Sequence, residues 1–283
     1  MTIFLRTDID GKDTEGIGSI CQWNLLLYCI AKYIGVRVSI PPFKNIAHYD
    51  YTEYSSKEWS KSFTDFFNFP YIENFDEEIN FFGSYNDLED LVKNKTKNVL
   101  VNISKMFIVE YGQKNLPIFF ENKYLESIKN NLKSDKNYFL KDYINISLHI
   151  RSNNPNDVDF HPSREAFLNH IDSSKFLNLI DEFKNKHEDD LVCLHIHSQG
   201  TNENFYDIIN KSTEKFKILC HLNDHPTIDI YHMSNADYLI MANSSYSWIC
   251  HLLNYNQTYV RDNFWHSVYP NAIFLDSEYR IKL

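Results

Sequence analysis

The sequence predicts an α/β protein of two domains, the second built on a parallel sheet, and three observations carry that prediction. Apolar runs at 144–150, 191–197, 216–222, 237–242 and 257–260 alternate with helical patterns, the sequence form of strand–helix–strand units. A charged stretch at 132–141 interrupts the chain near its middle, where a domain boundary belongs. The 283 residues are 43% hydrophobic and 16% aromatic, enough for one large core or two smaller ones and too apolar for a disordered chain. The expected domains are 1–140 and 141–283.

Each element has a local reason. Residues 2–6 read as a short buried strand, and the polar stretch after them, with Gly11, Gly16 and Gly18, as a turn. Ile20, Trp23, Leu27, Ile30 and Ile34 then recur at the spacing of an amphipathic helix, and Gly35 stands where a C-terminal cap belongs. Residues 36–40 form a second strand, stopped by Pro41-Pro42. From 43 to 85 the sequence is aromatic and polar without a period, which predicts a loop-rich excursion with a helix near 58–67. A strand at 98–104 and a helix at 122–131 complete this half. In the second half Phe176, Leu179, Ile180 and Phe183 stand at i, i+3, i+4 and i+7, with Ser173 or Ser174 as N-cap.

Composition excludes several functions. With 38 acidic and 28 basic residues the formal charge is −10, unsuited to coating nucleic acid. Cys21, Cys29, Cys193, Cys220 and Cys250 lie scattered without a C-x-x-C pair and read as buried thiols in a reducing compartment. The N-terminus lacks a signal-peptide core, and the longest strongly apolar run, 25–31, is far short of the roughly 20 residues that span a bilayer. These features predict a soluble, cytoplasmic chain without membrane insertion. The glycosylation sequons, such as Asn94-Lys-Thr and Asn145-Ile-Ser, matter only to a secreted chain and are discounted.

Parallel sheets bind ligands beyond the carboxyl ends of their strands, so the residues after each apolar run are where function is sought. They read His149-Ile-Arg151-Ser152, His197-Ser198-Gln199-Gly200, His221-Leu-Asn223-Asp224 and Ala242-Asn243-Ser244-Ser245. Asn243-Ser244-Ser245 opens a helix whose hydroxyls and unpaired N–H groups suit an anion, and Arg151 supplies a planar fork for a pyrophosphate. The competing reading is a capping serine and a paired core arginine. Gly16-Ile-Gly18 lacks the third glycine of a dinucleotide fingerprint, and no P-loop exists. His195 and His197 stand at i, i+2 without a completing zinc set, so each histidine reads as structural and no metal is expected. The pairs Asp8/Asp10 and Asp157/Asp159 match the D-x-D of metal-dependent sugar transferases, but read first as solvated loop residues.

Three blocks resemble the fucosyltransferase superfamily of α-1,2, α-1,6 and protein-O-fucosyltransferases. Glu15-Gly16-Ile-Gly18-Ser19-Ile-Cys-Gln22 is similar to its N-terminal G-x-x-N-Q segment. His149-Ile150-Arg151 is similar to the start of its H-x-R-R-x-D motif. Asp229 to Met233, Ala236-Asp237 and Asn243-Ser-Ser-Tyr-Ser-Trp248 are similar to its D-x-x-x-M…AD…SSFSW signature. The likeness covers 144–266, and 1–40 more loosely. It implies two Rossmann-like domains facing a cleft, of the GT-B type, with donor in the C-terminal domain and acceptor on the N-terminal side.

The activity implied is inverting, metal-independent transfer of a sugar from a GDP-fucose-like donor to an oligosaccharide or glycoprotein hydroxyl. Arg151 would hold the diphosphate with Ser244 and Ser245; His149 and Asp229 would read base and ribose; Asn243 and Ser198 would shape the same pocket; Gly16, Gly18 and Gln22 would line the acceptor side. Asp157, Asp159 and His161 are the general-base alternatives. Ser152 stands in place of the second arginine, Asn154 of the aspartate and Gln199 of a common acid. Another donor such as UDP-xylose or a GDP-hexose, a binder without turnover, and a small-molecule α/β enzyme therefore stay open. The aromatic segment Tyr49 to Tyr85 reads as a satellite cluster ahead of a sugar-stacking face. The implied setting is a bacterial or viral glycan pathway.

Overall fold

Every strand-to-strand pairing in the two sheets is parallel. The computed structural model describes residues 2–7, 16–44, 46–47, 54–94, 98–151 and 175–282. The chain divides into two α/β units, Met1–Lys133 with His266–Tyr269, and Ser134–Trp265 with Pro270–Leu283. Each is Rossmann-like: strands joined by helical crossovers around a parallel sheet.

In the first unit the strands are β1 (Ile3–Thr7), β2 (Arg37–Val38), β3 (Glu77–Phe81) and β4 (Val99–Ile103), in the order β2-β1-β4-β3. Helix α1 (Ile17–Ile34) ends where expected: Gly35 has φ 76° and its N–H reaches Ala31 and Lys32 carbonyls. It is not amphipathic, however. Leu25, Leu26 and Leu27 are all fully buried, because the sheet covers one side of α1 and α4 (Lys105–Lys114) the other. Gly112 of α4 permits that approach; a Cβ there would lie 3.0 Å from Leu26.

Helix α2 (Ser56–Phe67) opens with a Ser55/Glu58 capping box and buries Trp59, Phe63, Phe66 and Phe67. Phe67 stacks on Phe69 at 5.3 Å, and Phe43 closes the group, a satellite cluster as the sequence suggested. The loop expected up to residue 85 contains β3 instead, an edge strand with alternate residues exposed. Also unforeseen were α3 (Tyr85–Asn94), α4 and α5 (Leu116–Glu121); the helix expected from 122 starts later, as α6 (Glu126–Asn131). Polar, aromatic helices shorter than three turns give little periodicity, and packing decides them.

In the second unit the strands are β5 (Ile144–His149), β6 (Val192–Ser198), β7 (Phe216–Leu222), β8 (Tyr238–Ile240), β9 (Gln257–Arg261) and β10 (Ile273–Leu275), ordered β10-β9-β8-β5-β6-β7. The crossover helices are α7 (Phe176–Lys186), short α8 (Tyr206–Ile209), α9 (Pro226–Asn235) and α10 (Ser245–Leu253). Helix α7 buries Phe176, Leu179, Ile180 and Phe183, the four residues its spacing selected, against Ile146, Leu148, Leu194 and Ile196. Its expected cap, Ser173 or Ser174, lies outside the described residues.

The register sorts the strands into two unlike faces. Ile146, Leu148, Leu194 and Ile196 make the apolar face, while Ser147 pairs beside His195, and His149 beside His197 and His221. A one-residue alternation thus puts a polar layer inside the protein. The partners that satisfy it come from the 138–145 segment and α9. His195 Nε2 meets Asn145 Oδ1 at 3.0 Å, and His195 Nδ1 meets His221 Nε2 at 2.9 Å. His232 Nε2 accepts from Tyr138 N at 3.1 Å. The five cysteines are all free thiols. No helix among the described residues is long and apolar enough to cross a membrane.

Candidate functional site

The six-stranded sheet reverses its winding between β5 and β8: β6 and β7 extend to one side, β8, β9 and β10 to the other. In a parallel sheet such a reversal is where a ligand crevice is expected, beyond the carboxyl ends of the two strands. Ile150-Arg151 follows β5, and Met241 to Ser244 leads from β8 into α10. The strand order therefore brings together residues more than ninety positions apart.

Side chains lock the two ends. Ser247, in the first turn of α10, accepts from Ala242 N at 3.2 Å and hydrogen-bonds His149 Nδ1. The Ser247 oxygen has two lone pairs besides its proton, so either it or His149 Nδ1 can be the donor of this bond; with the serine donating, the imidazole carries its proton on Nε2. Burial, then repulsion from His197 and Arg151, pushes the His149 pKa down to about 3, so the ring is neutral at physiological pH. Ser244 caps α10, its hydroxyl accepting from Tyr246 N at 3.2 Å, which realises the structural reading of that serine while leaving its own proton to donate. Ser245 is half-buried beside it.

Acceptors lie on the flanks. Asn243 is 8% exposed, its Nδ2 donates to Asn263 Oδ1 at 3.2 Å, and its Oδ1 has no hydrogen-bond partner among the described residues. A buried amide oxygen left unpaired costs about 1–3 kcal/mol, a cost a ligand donor would remove. Ser198, at the end of β6, spends its hydroxyl on Ile150 O at 2.6 Å and so braces the turn before Arg151. Asp229, in the first turn of α9, bonds His197 Nδ1 through Oδ1 at 2.8 Å. Burial raises its carboxyl well above the usual range and lowers His197 to about 3. Tyr246 of α10 donates to Pro226 O at 2.7 Å, tying the starts of α9 and α10 together.

Behind these residues the polar layer is itself braced. Tyr138 stacks on His221 at 3.8 Å and donates to Asp224 Oδ2 at 2.6 Å, while Lys136 reaches Asp224 Oδ1 at 2.5 Å. Burial opposes ionisation of Asp224, but these two hydrogen bonds outweigh it and hold the carboxyl below its ordinary value. Sequence reasoning quoted His197 at a strand end and Tyr246 and Ser247 within a signature but gave neither these nor Asn263 a partner, because their partners are distant in sequence. Trp248 and Met233 of the quoted signature are core residues, both fully buried, and Asp237 clamps β5 by accepting from Asn145 N at 2.8 Å.

Arg151, His149, Ser198, Asp229, Asn243, Ser244 and Ser245 thus all belong to the second unit, at the carboxyl edge of its sheet or in the helices that start there. Gly16, Gly18 and Gln22 belong to the first: Gly16 is the N-cap of α1, and Gly18 and Gln22 are buried within it. Asp157, Asp159 and His161, with Asp8 and Asp10, lie outside the described residues. Among the described residues no group of three His, Cys, Asp or Glu could hold a metal ion.

No protein-family model matches the chain, and no curated protein does. Solved structures resemble it over nearly its full length. POFUT1 in complex with GDP superposes with a TM-score of 0.44 at 11% identity, covering 96% of this chain and 98% of that one. POFUT1 with GDP-fucose gives 0.43 at 10% in one crystal form and 0.41 at 9% in another, each covering 96% of this chain and 97% of the other. These are distant likenesses.

Proposed function

We propose that the chain is a glycosyltransferase that binds a nucleotide-diphosphate sugar, GDP-fucose-like, at the second unit's switch point and transfers the sugar to a glycan hydroxyl. One observation carries the reading. At the β5/β8 switch point Arg151 follows His149, whose ring is tied by Ser247 to the capped start of α10, where a parallel sheet places its ligand.

In this reading the Arg151 guanidinium takes the diphosphate oxygens in a fork and offsets the charge that grows as the glycosidic bond breaks. The α10 N-terminus, with the Ser244 and Ser245 hydroxyls, supplies a second fixed positive end. His149, neutral, adds a hydrogen bond without a competing charge. The Asn243 Oδ1 accepts a donor group of the ligand. Since the arginine and the helix dipole neutralise the leaving group, no metal is required for departure. The acceptor proton passes to a base for which Asp157, Asp159 and His161 remain the alternatives, and Gly16, Gly18 and Gln22 fall to the acceptor side.

A thermal-shift screen against GDP, UDP, CDP, ADP and their sugar conjugates tests the reading, because a ligand of the folded state raises the melting temperature. The expected result is stabilisation by one nucleotide family in the wild type and its loss in Arg151→Ala. Silence across the panel would refute it.

A further inference from the structure

We infer that the amino-terminal edge of the second unit's sheet carries a second binding site, a groove that holds a neutral oligosaccharide through its hydroxyls. The inference stands apart from the function proposed above, since it uses no residue of the β5/β8 switch point.

Ile144, Tyr238 and Gln257 are the first residues of β5, β8 and β9, three neighbouring strands, and they line a groove of about 610 Å³. Sites for small organic ligands span about 300–1,000 Å³. Arg151 follows the other end of β5, on the order of 20 Å of extended chain from Ile144, so the groove is a separate site.

Hydrogen bonding fixes what the groove offers. Asn256 Nδ2 donates to Ala236 O at 3.0 Å, and Gln257 Nε2 donates to Asn271 O. Only an amide nitrogen can make those bonds, so each side chain keeps its oxygen as the uncommitted end. Asp237 Oδ2 accepts from Asn145 N at 2.8 Å, while Oδ1 makes no hydrogen bond among the described residues. The exposed Asp142 carboxylate has no partner among them. The groove thus presents acceptors from four side chains and one cation, Lys186 at the end of α7, whose Nζ lies 4.7 Å from the Tyr238 ring centre.

That set selects the ligand by charge and by donor count. A phosphate or other anion meets two carboxylates. A polyamine meets Lys186, and among the described residues no group of three His, Cys, Asp or Glu could hold a metal ion. An apolar ligand strips water from four acceptors and returns no hydrogen bond. A sugar carries no charge, and each hydroxyl both donates and accepts. Its hydroxyls can donate to the four acceptor groups and accept from Lys186, while its C–H faces meet the apolar surface of Tyr143, Ile144 and Tyr238.

Calorimetry on the full chain without nucleotide tests this, with neutral trisaccharides of glucose, galactose, mannose, xylose and N-acetylglucosamine as probes and spermidine and calcium chloride as cationic controls. At least one trisaccharide is expected to bind wild type, and neither cation. Asp142→Gly and Lys186→Ala should each weaken that sugar about tenfold, the worth of one hydrogen bond to a charged group. Residue 142 has φ 65°, which glycine adopts readily, so Asp142→Gly removes the carboxylate without straining the turn. Arg151→Ala should leave the sugar affinity unchanged. Silence across the sugars, or spermidine or calcium binding in their place, would overturn the inference. So would sugar binding that survives both groove variants, or that is lost in Arg151→Ala. No nucleotide enters these measurements, so failure here leaves the donor-site reading standing, and a nucleotide screen without a hit leaves the groove standing.

Discussion

Acid should dismantle the second unit well above the pH at which most proteins of this size denature. His195, His197, His232 and His251 are 0% exposed and His221 is 9% exposed. Burial is the main cause in each case and depresses His195 to about 2 and His197, His221 and His251 to about 3, with His232 also below its usual value. In the unfolded chain the same rings bind protons near pH 6.5, so below that pH the unfolded state holds more protons than the native one. Stability is complete above pH 6.5 and declines as the pH falls toward the folded values. Between pH 7 and pH 5 each of the four rings held at about 2 or 3 accounts for about 2 kcal/mol, and His232 adds in the same direction. Asp229 acts in the opposite sense, since burial raises its carboxyl. The histidine contribution is thus several kcal/mol, comparable to the total stability of a domain. Urea unfolding followed by circular dichroism at pH 7, 6, 5.5 and 5 reads it directly, and His251→Asn should flatten the slope by about 1.4 kcal/mol per pH unit. A urea midpoint unchanged between pH 7 and 5 would refute the argument.

Ser247→Ala removes the hydroxyl that serves both His149 and Ala242 N; it should cost about 1–3 kcal/mol and weaken nucleotide binding, checked by urea melts and calorimetry. Gly35→Ala meets no atom within 4 Å but must hold φ 76°, so the expected loss is about 1 kcal/mol from backbone strain alone, read in the same melts. Arg151→Ala should lower kcat/KM for donor turnover at least tenfold, about 1.4 kcal/mol of transition-state stabilisation, with the melting temperature without ligand unchanged. Excess EDTA should leave turnover intact; its abolition would restore the metal-dependent reading of the D-x-D pairs.

Legibility followed the range of the forces involved. Helix α7 was readable because four large apolar residues at helical spacing announce one buried face. The Gly35 cap was readable because a left-handed residue after an apolar helix has few chemical solutions. Strands β5 to β9 were readable as apolar runs, and so was the concentration of polar residues at their ends. Strand β3 and helices α3, α4 and α5 were not, since their exposed or aromatic residues carry no decisive period. Burial of α1 on both sides as far as Ala31 was also hidden: its Leu25-Leu26-Leu27 run needed α4 as a second cover.

The sequence by itself determined the α/β class, the alternation in the second half, and which residues follow each strand, because these depend on periodicity and turn chemistry within a few positions. Only the tertiary structure decided that β5 and β8 are neighbours, that Ser247 reaches back to His149, and that alternate strand residues gather into a buried histidine layer. Those contacts join residues from 26 to 98 positions apart. Pairing at such separations is set by strand order and packing of the whole sheet, which no local pattern encodes.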